Sequence, residues 1–70
     1  MIQVNGAEQL KGGLVMYRIL VVDDEAKIRL LIRKYAEFEG HEVTEAENGM
    51  EAVRLFRRTP DAFDIVIMDV

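Results

Sequence analysis

The sequence predicts an α/β fold: a parallel three-stranded sheet of order 2-1-3 with one helix in each crossover. Three observations predict it. "YRILVV" at 17–22 is a short continuous apolar run and "FDIVIMDV" at 63–70 is an apolar run flanked by acids, as expected of strands buried on both faces. "HEVTEA" at 41–46 alternates and is polar, which suits an edge strand. Two stretches of helical period separate the three, so the order is β-α-β-α-β with right-handed crossovers. The polar strand belongs at the edge and the two apolar strands side by side.

Residues 1–15, "MIQVNGAEQLKGGLV", show no sustained period and hold three of the five glycines. They are expected to be a flexible leader outside the fold. Lys11, Gly12 and Gly13 can be encoded by a purine-rich run resembling a ribosome-binding site, so the natural chain is expected to start at Met16. From Tyr17 the first strand runs into "DDEAKIRLLIRKYAEFEG". There Ile28, Leu31, Ile32, Tyr35 and Phe38 recur at helical spacing, acids occupy the first turn, and Gly40 stands where a C-terminal cap belongs. Leu30 points away from that stripe. After the polar strand, Asn48 and Glu51 form a capping-box pattern that opens "GMEAVRLFRR", with Ala52, Leu55 and Phe56 as the buried stripe and Thr59-Pro60 as its end.

Seventy residues make one small domain, a size that buries only about 60% of the surface its unfolded chain exposes. Half the residues are apolar and 31% are charged, which is the composition of a globular protein. The net charge of -4 argues against nucleic-acid binding by this chain alone. Arg29, Arg33, Lys34, Arg54, Arg57 and Arg58 lie among acids and read as a solvated face. There is no cysteine, no apolar run approaching a membrane span and no signal-peptide core, so no membrane contact and a cytoplasmic location are expected. His41 has no partner histidine nearby and reads as a surface residue.

In a 2-1-3 order the strand sequence reverses between the first and third strands, and ligands of open α/β sheets bind at the carboxyl ends of strands there. Asp23, Asp24 and Asp69 fall at that point. Carboxylates about 5 Å apart repel by roughly 3 kcal/mol per pair at an effective dielectric near 20, so a cation belongs among them. Mg²⁺ fits: it prefers oxygen ligands and is held by one or two carboxylates while sharing a phosphoryl group. One carboxylate can then act as a nucleophile toward phosphorus. Asp-Asp-Glu before a helix is also an ordinary N-terminal cap; only the convergence of all three aspartates points to a site.

"ILVVDDE", the helix with "IRLLI", "EGHEVTEAENGMEAV" and "DIVIMDV" together resemble the receiver domain of bacterial two-component response regulators, from Tyr17 to Val70. The resemblance implies a flavodoxin-like fold, with Asp69 as phosphoacceptor from a phosphohistidine on a partner sensor histidine kinase. It implies Asp24 as a direct Mg²⁺ ligand and Asp23 as a ligand acting mostly through water, in a site shared with Asp69. The first helix, with Leu30, belongs to the surface on which receivers dock their kinases. A family receiver is longer, so residues 16–70 are expected to be its first three strands and two helices. The carbonyl after Val70, the fourth-strand Ser or Thr and the fifth-strand Lys are then missing, which implies impaired phosphotransfer and no enzyme activity. "MYRILVVDDE" is similar to the opening of regulators with a winged-helix DNA-binding domain, which implies transcription control by the parent protein.

A rival expectation is a non-catalytic unit. With no fourth strand, "DIVIMDV" presents an apolar edge, and two copies can pair antiparallel through Ile65, Val66, Ile67 and Met68 as a homodimer. A metal-dependent phosphatase whose strand-end Asp69 opens a D-x-D motif is a weaker rival, since it leaves Asp23 and Asp24 without a role.

Overall fold

The computed structural model describes residues 2–4 and 15–68. Its central strand is β2 (Arg18–Val22), in which every residue after Arg18 is buried, Leu20 and Val21 completely. Two parallel partners flank it. β3 (Glu42–Ala46) pairs Ile19 with Val43 and Val22 with Ala46, while β4 (Ile65–Met68) pairs Ile19 with Ile65 and Val22 with Met68. The parallel strands thus have the expected order, with the polar strand outermost and the two apolar strands adjacent.

The helices cover opposite faces. On one, Leu20, Val22, Ala46 and Val66 meet Ala52 of α2 (Gly49–Arg58) and Phe63, with Leu55 and Phe56 packed against them. Phe56 and Phe63 meet edge to face at 5.7 Å. On the other, Ile19, Val21 and Val43 meet Ile32 and Ala36 of α1 (Ala26–Phe38), with Ile65 and Ile67 alongside. Full burial of a Leu or Val is worth roughly 1.5–3 kcal/mol, so these two clusters hold the layers together.

The helix ends follow the residues written there. Asn48 Oδ1 accepts from the Glu51 backbone N–H at 2.9 Å, and the Glu51 carboxylate reaches back to the Glu47 N–H at 2.8 Å, so the capping box forms. α1 ends with Gly40 at φ +90, where its N–H donates to the Glu37 carbonyl and the His41 N–H to the Ala36 carbonyl. This is a Schellman motif, and glycine adopts its left-handed conformation without steric cost.

Four expectations change. Ile2–Val4, placed in the flexible leader, forms a strand, β1, antiparallel to β4, with Ile2 opposite Ile67, Gln3 opposite Val66 and Val4 opposite Ile65. The edge on which a second copy was expected is therefore taken by the chain's own N-terminal strand, and the sheet reads β1-β4-β2-β3. Residues 5–14 lie outside the described residues. Second, α1 starts at Ala26 and has no acid in its first turn. The Glu25 N–H donates to Asp23 Oδ1 at 2.8 Å, a local turn that keeps the backbone extended through Glu25.

Third, the apolar stripe of α1 is only partly covered. Ile32 and Ala36 face the sheet, but Ile28, Leu31, Tyr35 and Phe38 stay exposed, Phe38 at 87%. Among the described residues α1 packs over β2 and β3, and these four side chains lie off the face that does so. Fourth, His41 is half-buried; its Nδ1 accepts from the Tyr17 N–H at 3.0 Å and its ring lies 5.3 Å from that of Tyr17.

Candidate functional site

The carboxyl end of β2 delivers Asp23 and Asp24 into the loop before α1. Asp23 is 8% exposed, the only buried charged residue among those described, whereas Asp24 is exposed. Three hydrogen bonds fix Asp23. Its N–H donates to the Ala46 carbonyl at 3.1 Å, extending the β2–β3 pairing by one step. Its Oδ1 accepts the Glu25 N–H, and its backbone carbonyl accepts from Arg29 Nη1 at 2.7 Å. The acids thus sit in a pinned loop at the sheet end and not within the helix.

Asp69 lies outside the described residues. Met68, which precedes it in sequence, is the register partner of Val22, which precedes Asp23. Among the described residues no set of three or more His, Cys, Asp or Glu side chains gathers to hold a metal ion. Asp23 and Asp24 alone are a pair of hard oxygen donors beside a rigid strand end. Their chemistry fits Mg²⁺, which needs no more than one or two carboxylates from the protein. Glu25 caps α1 with an extended backbone and makes no side-chain cap.

Arg29 and Glu45 had no role in the sequence reading, which put Arg29 on a solvated face. The Arg29 side chain is only 13% exposed, and its Nε donates to Glu45 Oε1 at 2.9 Å. Glu45 Oε2 accepts from Arg33 Nη1 at 2.7 Å, and Arg33 also pairs with Glu37. The hydrogen bonds from Arg29, then those from Arg33, hold the Glu45 carboxyl below its ordinary value. Strand alternation carried the signal: Val43 and Glu45 share a face, and Val43 is buried beneath α1. A carboxylate on the face that a helix covers requires cations from that helix, and Arg29 and Arg33 stand one turn apart on it.

A second ion pair lies at the opposite end of the sheet. Arg18 Nη2 and Nε grip the two oxygens of Asp64 at 3.1 and 3.2 Å, and the Arg18 N–H adds a bond to Asp64 Oδ2 at 2.9 Å. The Arg18 guanidinium, then its backbone N–H, hold the Asp64 carboxyl below its usual value. The pair ties the start of β2 to the start of β4 and takes no part in the site.

The response regulator receiver domain family matches residues 19–70. The transcriptional regulatory protein ResD of Bacillus subtilis (strain 168) is 45% identical over 53 residues, covering 76% of this chain and 21% of ResD. The transcriptional regulatory protein SrrA of Staphylococcus aureus (strain NCTC 8325 / PS 47) is 54% identical over 37 residues, covering 53% of this chain and 15% of SrrA. The chain thus spans about a fifth or less of the length of these relatives. No solved structure matches it.

Proposed function

Since the chain belongs to the response regulator receiver domain family, we propose that it is the phosphoacceptor part of a two-component signalling protein, with Asp69 as the residue modified. A carboxylate oxygen of Asp69 attacks phosphorus on a phosphohistidine of a sensor histidine kinase; the acyl-phosphate bond forms as the N–P bond breaks, and the imidazole leaves. The observation that carries this is the position of Asp23 and Asp24 in a pinned loop at the carboxyl end of β2, with Val22 in register with Met68, one residue before Asp69.

Asp24, exposed at the loop, would ligate Mg²⁺ directly, and buried Asp23 would help to hold it through water, together with Asp69. When bound, Mg²⁺ neutralises charge developing on the phosphoryl oxygens. Asp23 is immobilised at its N–H, its carbonyl and one carboxylate oxygen, so the site needs little reorganisation to receive the ion. Receivers are generally not enzymes; here too the phosphoryl group ends on the protein itself. The names of the relatives support transcription control by the whole protein. No described helix is long and apolar enough to cross a membrane; a cytoplasmic location rests on the family, whose members typically work there.

Incubation with acetyl phosphate and Mg²⁺, followed by intact mass, tests the assignment. A gain of one phosphoryl group that is lost in Asp69→Asn is expected. Its persistence in that variant, or its absence after prolonged incubation, would refute it.

One observation favours a second reading alongside the first. β4 accepts an antiparallel strand on its free side, supplied by β1. A homodimer joined through Ile65, Val66, Ile67 and Met68 uses the same edge, so it forms only when β1 is displaced.

A further inference from the structure

We propose that Arg29 is a positioning residue for the metal-binding loop and that Glu45 makes it effective, an inference that rests on Asp23 and Asp24 holding Mg²⁺. The guanidinium spans two partners: Nη1 reaches the Asp23 carbonyl at 2.7 Å and Nε reaches Glu45 Oε1 at 2.9 Å. A planar fork can satisfy two acceptors in fixed directions, whereas an ammonium is a point charge on a flexible stem. Arg29 therefore joins the loop to β3 through its side chain, in addition to the backbone bond from Asp23 to Ala46. Loss of the fork leaves the carbonyl of a buried residue without this donor and frees the peptide that carries both aspartates.

Charge is the second half of the device. A lone cation beside a Mg²⁺ site opposes the ion. Arg29 and Arg33 are matched by Glu45 and Glu37 in one connected set, two positive against two negative, so the brace adds no net charge to the loop. Glu45 thus orients the Arg29 fork with one oxygen and cancels its charge. Groups that orient metal ligands from behind in this way commonly account for about 10- to 100-fold in metal affinity.

The test measures Mg²⁺ affinity by isothermal titration and, separately, melting in EDTA. Arg29→Lys keeps the charge and loses the fork. Arg29→Gln with Glu45→Gln removes the brace at constant net charge. Both are expected to weaken Mg²⁺ binding about tenfold or more, while Arg33→Gln with Glu37→Gln, which is also charge-neutral, leaves it unchanged. Glu45→Gln alone leaves one uncompensated positive charge, so its loss of affinity should shrink as salt is raised. Equal affinity in wild type, Arg29→Lys and the charge-neutral pair, with only the melting temperature lowered, would overturn the positioning role and leave the metal site standing. A wild-type chain that binds no Mg²⁺ would overturn both.

Discussion

A chain that starts at Met16 should dimerise more readily than the 70-residue chain, because β1 competes for the side of β4 that a second copy would pair. The structure sets the size of the effect. Three residue pairs join β1 to β4, and an antiparallel ladder of that length holds about two to four backbone hydrogen bonds. At about 1 kcal/mol net each they contribute about 2–4 kcal/mol. Ordering three residues costs about 3–6 kcal/mol of backbone entropy. The balance lies near zero, so β1 is held loosely and its removal should change the intrinsic stability of the remaining sheet little. Association is another matter, since removal of β1 uncovers the side of β4 that it paired, and a second copy can supply four residues where β1 supplies three. Sedimentation velocity on both chains across the micromolar range is the assay. The shorter chain should form a dimer at a several-fold lower concentration than the longer one, with a melting temperature that rises with concentration. A shorter chain that remains a stable monomer throughout, or a longer chain that dimerises as readily, would show that β1 is not what keeps β4 from pairing.

Acid should weaken the fold through Asp64. Its carboxyl is depressed when folded, so the stabilisation from Arg18 is complete above the ordinary value of 3.8 and is lost as pH falls below it toward the folded value. Asp64→Asn should flatten that dependence in urea midpoints measured from neutral pH downward; an unchanged slope would sink the assignment. Gly40→Ala should cost about 1 kcal/mol, because the φ of +90 is strained for any L side chain even though no atom lies within 4 Å of the added Cβ. No loss in thermal stability would mean that the turn relaxes.

The sheet was legible because each strand's burial is written in its composition. Four consecutive apolar residues, Ile19 to Val22, can only be satisfied between two neighbours and under two helices, and there they are. The polar alternation of Glu42–Ala46 likewise requires an edge. Caps were legible for a related reason: Asn48 and Gly40 act within a few residues of themselves, so no distant contact decides their role. β1 was hidden, since three residues carry no period and their pairing depends on an edge created more than sixty positions away.

The two acids of the loop could be placed from sequence, but the groups that hold them could not, because strand alternation says which face Glu45 takes and leaves open what lies across from it. Helical spacing makes Arg29 a borderline position, equally suited to solvent or to the rim of the packed face. The structure decides for the rim through one physical fact: a carboxylate under a helix must be neutralised, and Arg29 and Arg33 are the cations in reach. Once Arg29 is drawn in toward Glu45, its remaining N–H groups point at the loop, and the Asp23 carbonyl becomes an acceptor at 2.7 Å. A charge placed on the inner face of an edge strand thereby fixes the backbone of a loop on the neighbouring strand. Glu45 is accordingly a poor candidate for a chance surface acid, and the first place to look for a change in metal affinity that involves no ligand.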